Sequence, residues 1–262
     1  MSDRALTGTT ALVTGASRGF GRGIATALTR AGAQVVGVAR DRGQLAELRE
    51  QLGGSFTAVS ADAADPVVAG QLIDTYRPAV LVLNAGATPL PRPIHHHTWT
   101  TFSRNWEVDV QHVFHFTREA LLAPLAPGST VITLSSGAAL RGSPLSGGYA
   151  GAKAAIRWLT GYAAEESERA GLGLRFVSLL PQLTPATDLG ARYVAAYAAR
   201  QGGAQAVPAA SGPAAQASSA PAASGPPLTP DLAGQAVTDL AADPGYREPA
   251  YMLTAAGHRP LA

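Results

Sequence analysis

The chain has 262 residues, 20 basic and 18 acidic side chains, and no cysteine. This length suffices for one large domain with a sizeable core, and the lack of cysteine excludes disulfides and thiolate metal sites. The basic residues are scattered and no apolar run reaches about 18 residues, which argues against a nucleic-acid partner and against a membrane span. The first strand is predicted so close to the N-terminus that no secretory signal fits, so we expect one cytoplasmic domain over residues 1–262.

A glycine-rich turn joins the first predicted strand to the first predicted helix. Residues 10–13 form a short apolar run of the kind that a buried strand needs, and apolar residues recur at helical spacing after the turn. Between them stands TGASRGFG, in which Gly15 permits a tight turn, Gly19 lets the backbone approach a pyrophosphate, and Gly21 lets helix and strand pack closely. The helix N-terminus offers N–H groups and a positive dipole end to phosphate. This arrangement predicts dinucleotide binding, with a plain glycine turn as the alternative.

Strands and helices alternate along the first two thirds of the chain. Further strands are predicted at 34–39, 55–60, 79–83, 129–134 and 174–180. Helices are predicted after Asp41, after Asp65-Pro66, from about 100 to 125, and from 149 to 170. Because the strands are apolar on both faces, we predict a Rossmann-type α/β fold, a doubly wound parallel sheet of about seven strands with helices on both faces.

The pattern changes after the sixth strand. A short amphipathic helix is predicted at 188–200, and residues 201–227 carry no charge and consist almost entirely of Ala, Gly, Pro, Ser and Gln. Such a stretch cannot bury enough apolar surface to offset its ordering entropy, so we expect it to be flexible. A predicted helix at 228–242 and a strand at 250–254 follow, which makes this stretch an insertion and not a domain boundary.

Four polar side chains stand where a site is expected. Tyr149 and Lys153 lie one turn apart at the start of a predicted helix, so they share one face, where the lysine ammonium favours the ionised form of the phenol. Ser135 and Ser136 end the fifth strand, and open α/β sheets bind their ligands at that end. Taken alone, the tyrosine and lysine are also compatible with an ordinary surface helix.

Together these motifs resemble those of the short-chain dehydrogenase/reductase family in its compact single-domain form. The chain has T-G-x-x-x-G-x-G at 14–21, N-A-G at 84–86, and Ser136 thirteen residues before the Y-x-x-x-K of Tyr149 and Lys153. The resemblance implies an oxidoreductase that interconverts a carbonyl and a secondary alcohol by hydride transfer. It further implies a small-molecule carbonyl or alcohol substrate, a nicotinamide cofactor and a homodimer or homotetramer.

The resemblance also implies a role for each catalytic residue. Tyr149 is the general acid or base toward the substrate oxygen, Ser136 holds that oxygen by a hydrogen bond, and Lys153 supports the tyrosine and binds the nicotinamide ribose. Where the family usually has an asparagine in the long helix, this chain has Asp109, which accepts hydrogen bonds but cannot donate them as an amide does. Asp109 can instead pair with Lys153 and hold its charge; a bystander side chain is the alternative.

The cofactor-binding residues follow from the same resemblance. Asp62 is expected at the adenine ring, and Gln182 replaces the glycine that usually follows Pro181. The threonine that comes next in the family pattern is assigned to Thr187, with Thr184 as the alternative. The full set is Thr14, Gly15, Ser17, Arg18, Gly19, Phe20, Gly21, Arg40, Asp62, Asn84, Ala85, Gly86, Tyr149, Lys153, Pro181 and Thr187.

Charges at the end of the second strand predict which cofactor is bound. Family members that prefer NAD usually carry an acidic residue there for the ribose 2′-hydroxyl. This strand ends in Ala39-Arg40, and Arg18 lies within the glycine-rich turn. Guanidinium groups suit a 2′-phosphate, whereas Asp41 comes late and has a helix-capping role as its alternative. We therefore predict NADP(H) in preference to NAD(H).

Other features leave alternatives open. The run His95-His96-His97 has no carboxylate or cysteine at ligand spacing, so we expect a solvated or substrate-edge loop and no metal site. A lid over the substrate is expected at about 182–228, lengthened by the insert. Tyr193 and Tyr197 either belong to this lid and cover the substrate, or they only pack against the rest of the protein. A catalytically idle dinucleotide-binding sensor or scaffold is the alternative function, because Asp109, Gln182 and the unusual insert depart from the family pattern.

Overall fold

One eight-stranded sheet runs through the structure. The computed structural model describes residues 5–185, 187–204 and 227–261. Its strands are β1 Thr10–Thr14, β2 Gln34–Ala39, β3 Phe56–Ser60, β4 Val80–Leu83, β5 Thr130–Leu134, β6 Arg175–Pro181, β7 Ala250–Thr254 and β8 Gly257–Pro260. Their spatial order is β3-β2-β1-β4-β5-β6-β7-β8, and all neighbours are parallel except the antiparallel pair β7 and β8.

Helices connect the strands and cover the sheet. They are α1 Gly19–Arg30, α2 Arg42–Leu52, α3 Pro66–Tyr76, α4 Trp99–Asn105, α5 Gln111–Leu122, α6 Ala138–Arg141, α7 Gly148–Arg169, α8 Asp188–Ala204 and α9 Pro230–Ala242. Both capping residues predicted from the sequence are in place: Asp41 accepts from Gln44 N at 3.0 Å, and Asp65 accepts from Val67 N at 2.8 Å. None of the helices in the described ranges is long and apolar enough to cross a membrane.

The sheet separates two hydrophobic cores, because successive residues of a strand point to opposite faces. Val13 of β1 belongs to the core that also contains Ile24 of α1 and Val237 of α9. Its neighbour Leu12 belongs to the opposite core, with Phe116 of α5. Helices on both faces of a mostly parallel sheet confirm the predicted Rossmann-type α/β architecture.

The strand order reverses between β1 and β4, in the middle of the sheet, which creates a switch point at the carboxyl ends of these strands. From β1 the chain continues to β2 and β3 on one side, and it returns through β4 to β5 and β6 on the other. Ligands of open α/β sheets bind outside the carboxyl ends of the strands at such a point. The ends of β1, β4 and β5 carry the predicted site residues to this place.

Several element boundaries differ from those predicted. The helix predicted at about 100–125 consists of α4, a π-helical turn Trp106–Val110 and α5, and it ends at Leu122. The helix predicted at 188–200 continues as α8 to Ala204. About seven strands were expected, and the additional strand β8 is a four-residue segment of mixed polarity without a strand pattern. Most of the insert predicted to be flexible, residues 205–226, lies outside the described residues.

Candidate active site

The glycine-rich turn has the backbone conformation that its sequence predicts. Gly15 and Gly19 have positive φ angles of 67° and 54°, which glycine adopts without strain. A Cβ on Gly21 would overlap the carbonyl oxygen of Gly15 and lie 2.6 Å from Asn84 Nδ2, so helix α1 approaches the turn as closely as glycine allows. Arg18 precedes α1 without a side-chain cap, and a Cβ on Gly19 would meet no atom within 4 Å. Open space at an uncapped helix N-terminus fits a pyrophosphate.

The N-A-G segment after β4 is tied directly to this turn. Thr14 Oγ1 accepts hydrogen bonds from Asn84 N at 3.0 Å and Ala85 N at 3.1 Å, and it donates to Val82 O at 3.3 Å. Asn84 Nδ2 donates to Thr14 O at 3.0 Å and to Gly15 O at 3.2 Å. The fully buried Thr14 hydroxyl thus links the glycine-rich turn after β1 to the N-A-G segment after β4 through these hydrogen bonds.

A buried ion pair lies at the centre of the predicted catalytic group. Lys153 Nζ is 3.2 Å from Asp109 Oδ2, and the two side chains are 8% and 1% exposed. The ammonium also donates to Leu134 O at 3.0 Å and lies 5.7 Å from the centre of the Tyr149 ring. Burial opposes the charge on Lys153, but the carboxylate of Asp109 and the phenol of Tyr149 outweigh it and raise the pKa of the lysine. Lys153 is therefore a cation at neutral pH.

Asp109 lies in the π-helical turn, and its carboxylate is held by the loop after β4 and by the end of α4. Its Oδ1 accepts from Ala87 N at 2.7 Å and from Asn105 Nδ2 at 3.3 Å, and Asn105 also donates to Ala87 O at 2.9 Å. The predicted pairing of Asp109 with Lys153 is present. Asn105 stands four residues before Asp109, a spacing that places the two side chains on one helix face.

The two serines at the end of β5 have different environments. Ser135 is buried, and its hydroxyl donates to the backbone oxygen of Lys153 at 2.7 Å, which fixes α7 to the sheet. Ser136 is half-buried, accepts from Ala138 N at 3.1 Å and lines the same cleft as Tyr149. Ser136, to which the sequence analysis assigns the catalytic role, is thus the less buried of the two serines.

Exposed charges rim part of the cleft. Arg40 at the end of β2 lies 3.9 Å from Asp62, and Arg18 lies 3.9 Å from Asp188 at the start of α8. Such exposed pairs are weak, so both guanidinium groups can exchange their partners for a phosphate. Asp41 is used as the cap of α2, as its alternative reading predicted.

Aromatic rings and the loop after β6 line another part of the cleft. The centre of the Tyr193 ring lies 6.2 Å from the centre of the Tyr149 ring and 6.3 Å from the centre of the Tyr197 ring. In the loop, Thr187 Oγ1 donates to Thr184 O at 2.9 Å. Both threonines, together with Pro181 and Gln182, line the cleft.

One cleft joins all of these groups. It has a volume of about 2390 Å³, which exceeds that of a typical small-ligand pocket and accommodates a dinucleotide together with a substrate. The predicted cofactor residues that line it are Gly15, Ser17, Arg18, Gly19, Phe20, Arg40, Asp62, Asn84, Ala85, Gly86, Tyr149, Lys153, Pro181 and Thr187. Thr14 and Gly21 shape the turn behind it, as described above.

Histidines occur in the loop before α4 and in α5. His95 and His96 are exposed, while His97 lies 3.2 Å from Thr101 Oγ1, and burial followed by the charge of Arg92 lowers its pKa. No group of three metal-ligating side chains occurs among the described residues. His112, which the sequence did not single out, lines the cleft fully buried, and burial followed by the Lys153 ammonium lowers its pKa to about 3. His112 therefore remains neutral.

Known proteins resemble this chain in sequence and in fold. Residues 9–198 match the family model described as short chain dehydrogenase. L-xylulose reductase of Mesocricetus auratus is 33% identical over 161 residues, which are 60% of this chain and 65% of that protein. Carbonyl reductase [NADPH] 2 of Sus scrofa is 31% identical over 156 residues, 58% of this chain and 63% of that protein. The matched part thus spans less than two thirds of these relatives.

A solved structure resembles the chain over most of its length. It is the crystal structure of 3-ketoacyl-(acyl-carrier-protein) reductase from Brucella melitensis complexed with NADH. The TM-score is 0.71 at 25% sequence identity, and the alignment covers 92% of this chain and 93% of that one.

Proposed function

Because the chain belongs to the short-chain dehydrogenase family, we propose that it is an NADP(H)-dependent oxidoreductase that interconverts a carbonyl and a secondary alcohol. The observation that carries this proposal is the charged Lys153, which lies 5.7 Å from the Tyr149 ring in one cleft with Ser136 and the N-terminus of α1. The relatives are reductases of carbonyl compounds by name, which supports the same reaction class.

The catalytic side chains divide the proton chemistry between them. In the reductive direction the Tyr149 hydroxyl gives its proton to the substrate oxygen, which Ser136 holds by a hydrogen bond. The Lys153 ammonium stabilises the phenolate that remains, and Asp109 keeps the lysine charged. When bound, the nicotinamide cofactor supplies the hydride, so ketone, NADPH and one proton yield alcohol and NADP⁺.

Residues at three places are proposed to hold the cofactor. Backbone N–H groups at the start of α1 receive the pyrophosphate, next to Ser17 and Gly19. Asp62 and the N-A-G segment border the adenine half, and Lys153 meets the nicotinamide ribose. Thr187, after β6, borders the nicotinamide end.

Charge at the rim supports NADP(H) over NAD(H). Arg18 and Arg40 both line the cleft, and no carboxylate stands at Ala39, where a ribose 2′-hydroxyl is usually bound. One relative is named for NADPH and the solved structure contains NADH, so the relatives favour neither cofactor and the two arginines are what favours NADP(H).

Equilibrium binding tests the cofactor preference. Arg40→Ala is expected to raise the Kd for NADPH at least tenfold and to leave the Kd for NADH unchanged, since only NADPH carries the phosphate. Arg169→Ala, which removes an exposed arginine at the far end of α7, is the control. A tighter Kd for NADH than for NADPH in the unaltered protein would overturn the preference.

Turnover tests the reaction. NADPH oxidation is measured across a panel of ketones and aldehydes, and Tyr149→Phe is expected to lower kcat/KM about a hundredfold or more. Tyr76→Phe on α3, outside the cleft, serves as the matched control. Tight NADPH binding without turnover of any panel member would instead support a catalytically idle dinucleotide-binding sensor or scaffold.

We also propose that the chain forms a homodimer or homotetramer through α5 and α7. These neighbouring helices expose Phe114, Leu122, Trp158 and Tyr162 with 47%, 63%, 62% and 56% of their surface accessible. Several large apolar side chains exposed on adjacent helices are typical of a surface that is buried in an assembly.

A further inference from the structure

The side chain of Asn105 binds the loop after β4 and the carboxylate of Asp109 at the same time. Its amide nitrogen Nδ2 donates to Ala87 O at 2.9 Å and to Asp109 Oδ1 at 3.3 Å. The residue is 3% exposed and stands at the end of α4, directly before the π-helical turn. Because an amide nitrogen carries two hydrogens, both donors are used. Asn105 is thus a buried double donor next to the proposed catalytic group.

The two oxygens of the Asp109 carboxylate have different partners. Oδ1 accepts from Asn105 Nδ2 and from Ala87 N at 2.7 Å, whereas Oδ2 lies 3.2 Å from Lys153 Nζ. Hydrogen bonds to one oxygen fix the rotation of the carboxylate, and this rotation directs the other oxygen to the ammonium. A Cβ on Gly86 would lie 2.8 Å from Oδ2, so the loop after β4 packs closely against the same carboxylate.

The charge of Lys153 depends on this carboxylate. Among the described residues, Asp109 is the one acidic side chain within 4.0 Å of the buried ammonium. Burial opposes the charge, but Asp109 and then Tyr149 outweigh it and raise the pKa of the lysine. Two other neighbours bring no negative charge: Leu134 O is a backbone acceptor at 3.0 Å, and His112 is neutral because burial, followed by the lysine charge, lowers its pKa to about 3. A carboxylate that turned away would leave the ammonium without its counter-charge.

We propose that Asn105 is a positioning residue, which holds Asp109 in the orientation that keeps the Lys153 ammonium charged. It acts through this carboxylate and not by contact with the substrate. The inference rests on the proposed function for its catalytic meaning, because the lysine charge supports Tyr149 there. The hydrogen bond from Asn105 to Ala87 O offers the competing explanation, in which the side chain only stabilises the loop.

The composition of the chain makes the charge of Lys153 directly measurable. Lys153 is the only lysine in the sequence, so protein grown with isotope-labelled lysine gives a single lysine side-chain signal in a magnetic resonance spectrum. The chemical shift of this signal, followed from neutral to strongly alkaline pH, reports the acid dissociation constant of the ammonium. In the unaltered protein the transition is expected above the ordinary lysine pKa of 10.5.

Three variants test the proposal through this signal. Asn105→Leu keeps the approximate size of the side chain, removes both donors and is expected to raise the dissociation constant of Lys153 about threefold or more. Asp109→Asn removes the counter-charge itself and is expected to raise it about tenfold or more. Ser103→Ala is the matched control and should leave it unchanged, because Ser103 donates to Glu107 Oε1 at 2.6 Å over the same four-residue spacing but outside the ion pair.

The pH profile of kcat relates the same change to the reaction. NADPH oxidation is measured with the ketone of the panel that is turned over fastest. In Asn105→Leu the loss of kcat at alkaline pH is expected to begin at lower pH than in the unaltered protein, since Lys153 loses its charge earlier. Ser103→Ala should keep the unaltered profile. Where Asn105→Leu yields no folded protein, the smaller Asn105→Ala replaces it in both measurements.

The outcomes separate this inference from the proposed function. An unchanged lysine transition in Asn105→Leu, together with a lower free energy of unfolding, overturns the inference in favour of a loop-stabilising role. An equal shift in Ser103→Ala also overturns it, as does an unaltered protein in which Lys153 titrates at or below its ordinary pKa. A shifted transition without turnover of any ketone supports the inference and contradicts the proposed reaction. Turnover whose alkaline loss does not follow the shifted transition leaves the reaction standing and overturns the role of Asn105 in it.

Discussion

Among single residues, Asp109 has the largest influence on the charge of the catalytic group. Its carboxylate offsets the burial of Lys153, and it is itself held by Ala87 N and Asn105 Nδ2. A neutral amide at this position keeps the acceptor for Ala87 but leaves a buried ammonium without its counter-charge. The pair therefore influences both the stability of the fold and the protonation of the site.

Replacing Asp109 is expected to destabilise the protein in a pH-dependent way. Asp109→Asn should lower the free energy of unfolding by about 3 kcal/mol at pH 7, because it breaks one side of a buried pair. Folding raises the pKa of Lys153, so this stabilisation is fully present below the unfolded lysine pKa of about 10.4 and is lost as pH rises through the folded pKa. Urea denaturation from neutral to strongly alkaline pH measures the difference.

The control for this prediction is an exposed ion pair. Glu166→Gln removes the partner of Arg169 on the surface of α7 and should not measurably change the unfolding curves. If the difference between Asp109→Asn and the unaltered protein stayed constant up to strongly alkaline pH, the stabilising role of the ion pair would be refuted.

Two glycines of the turn should respond differently to the same substitution. Gly21→Ala places a Cβ against the Gly15 carbonyl and is expected to cost about 3 kcal/mol and to abolish NADPH binding. Gly19→Ala meets no protein atom and costs only left-handed backbone strain, about 1 kcal/mol, but occupies the space proposed for the pyrophosphate. Thermal unfolding and NADPH titration distinguish these effects: unchanged NADPH affinity in Gly19→Ala would contradict the placement.

At the scale of elements, helices α1 and α9 pack with almost no side chain between them. A Cβ on Gly234 would lie 2.6 Å from Gly23 O and 2.7 Å from Ala27 Cβ. A Cβ on Gly23 would in turn overlap the backbone of Pro230 at the start of α9. This contact fixes α9 against α1, and α9 is the helix that precedes β7 in the chain.

Gly234→Ala is expected to lower the free energy of unfolding by about 1–3 kcal/mol, because the added methyl group overpacks the contact of α1 with α9. Gly161→Ala is the matched control, since an added Cβ in α7 meets nothing within 4 Å. It should be neutral or stabilising by up to about 1 kcal/mol, through the higher helix propensity of alanine. Equal effects of the two substitutions in urea denaturation would show that the packing is looser than described.

The sequence predicts elements that carry a local pattern and misses those that depend on contacts. Strand β2 was predicted at its observed bounds because its apolar run is continuous. The short and partly polar β8 exists only because it pairs with β7, which local periodicity cannot indicate. The π-helical turn that contains Asp109 likewise could not be predicted, since a single wider turn hardly changes the spacing of apolar residues along a helix.

The same distinction holds for the site. Motif spacing places Tyr149, Lys153 and Ser136 together, and the structure brings them to one cleft. The partnership of Asn105 with Ala87 depends on a loop that is distant in sequence. Such relations are set by tertiary packing, which one sequence without its fold does not show.

For the molecule as a whole, the outer surfaces of α5 and α7 lie outside the cleft and are proposed to form the assembly interface. The proposed catalytic residues line the cleft at the carboxyl ends of the strands, whereas Phe114, Trp158 and Tyr162 are exposed on α5 and α7. Trp158 and Tyr162 stack with their ring centres 6.4 Å apart, which forms a continuous aromatic surface. Burial of this surface between two copies would remove it from water and stabilise both chains.

Sedimentation velocity at micromolar concentration tests this assembly. The unaltered chain is expected to sediment as a dimer or tetramer, and Trp158→Glu as a monomer, because a carboxylate at the centre of an apolar interface loses its hydration without gaining a partner. Val67→Glu is the control: Val67 is also 62% exposed, but it lies on α3 and should leave the assembly unchanged. A monomeric unaltered chain, or an assembly that survives Trp158→Glu, would show that these helices serve another purpose.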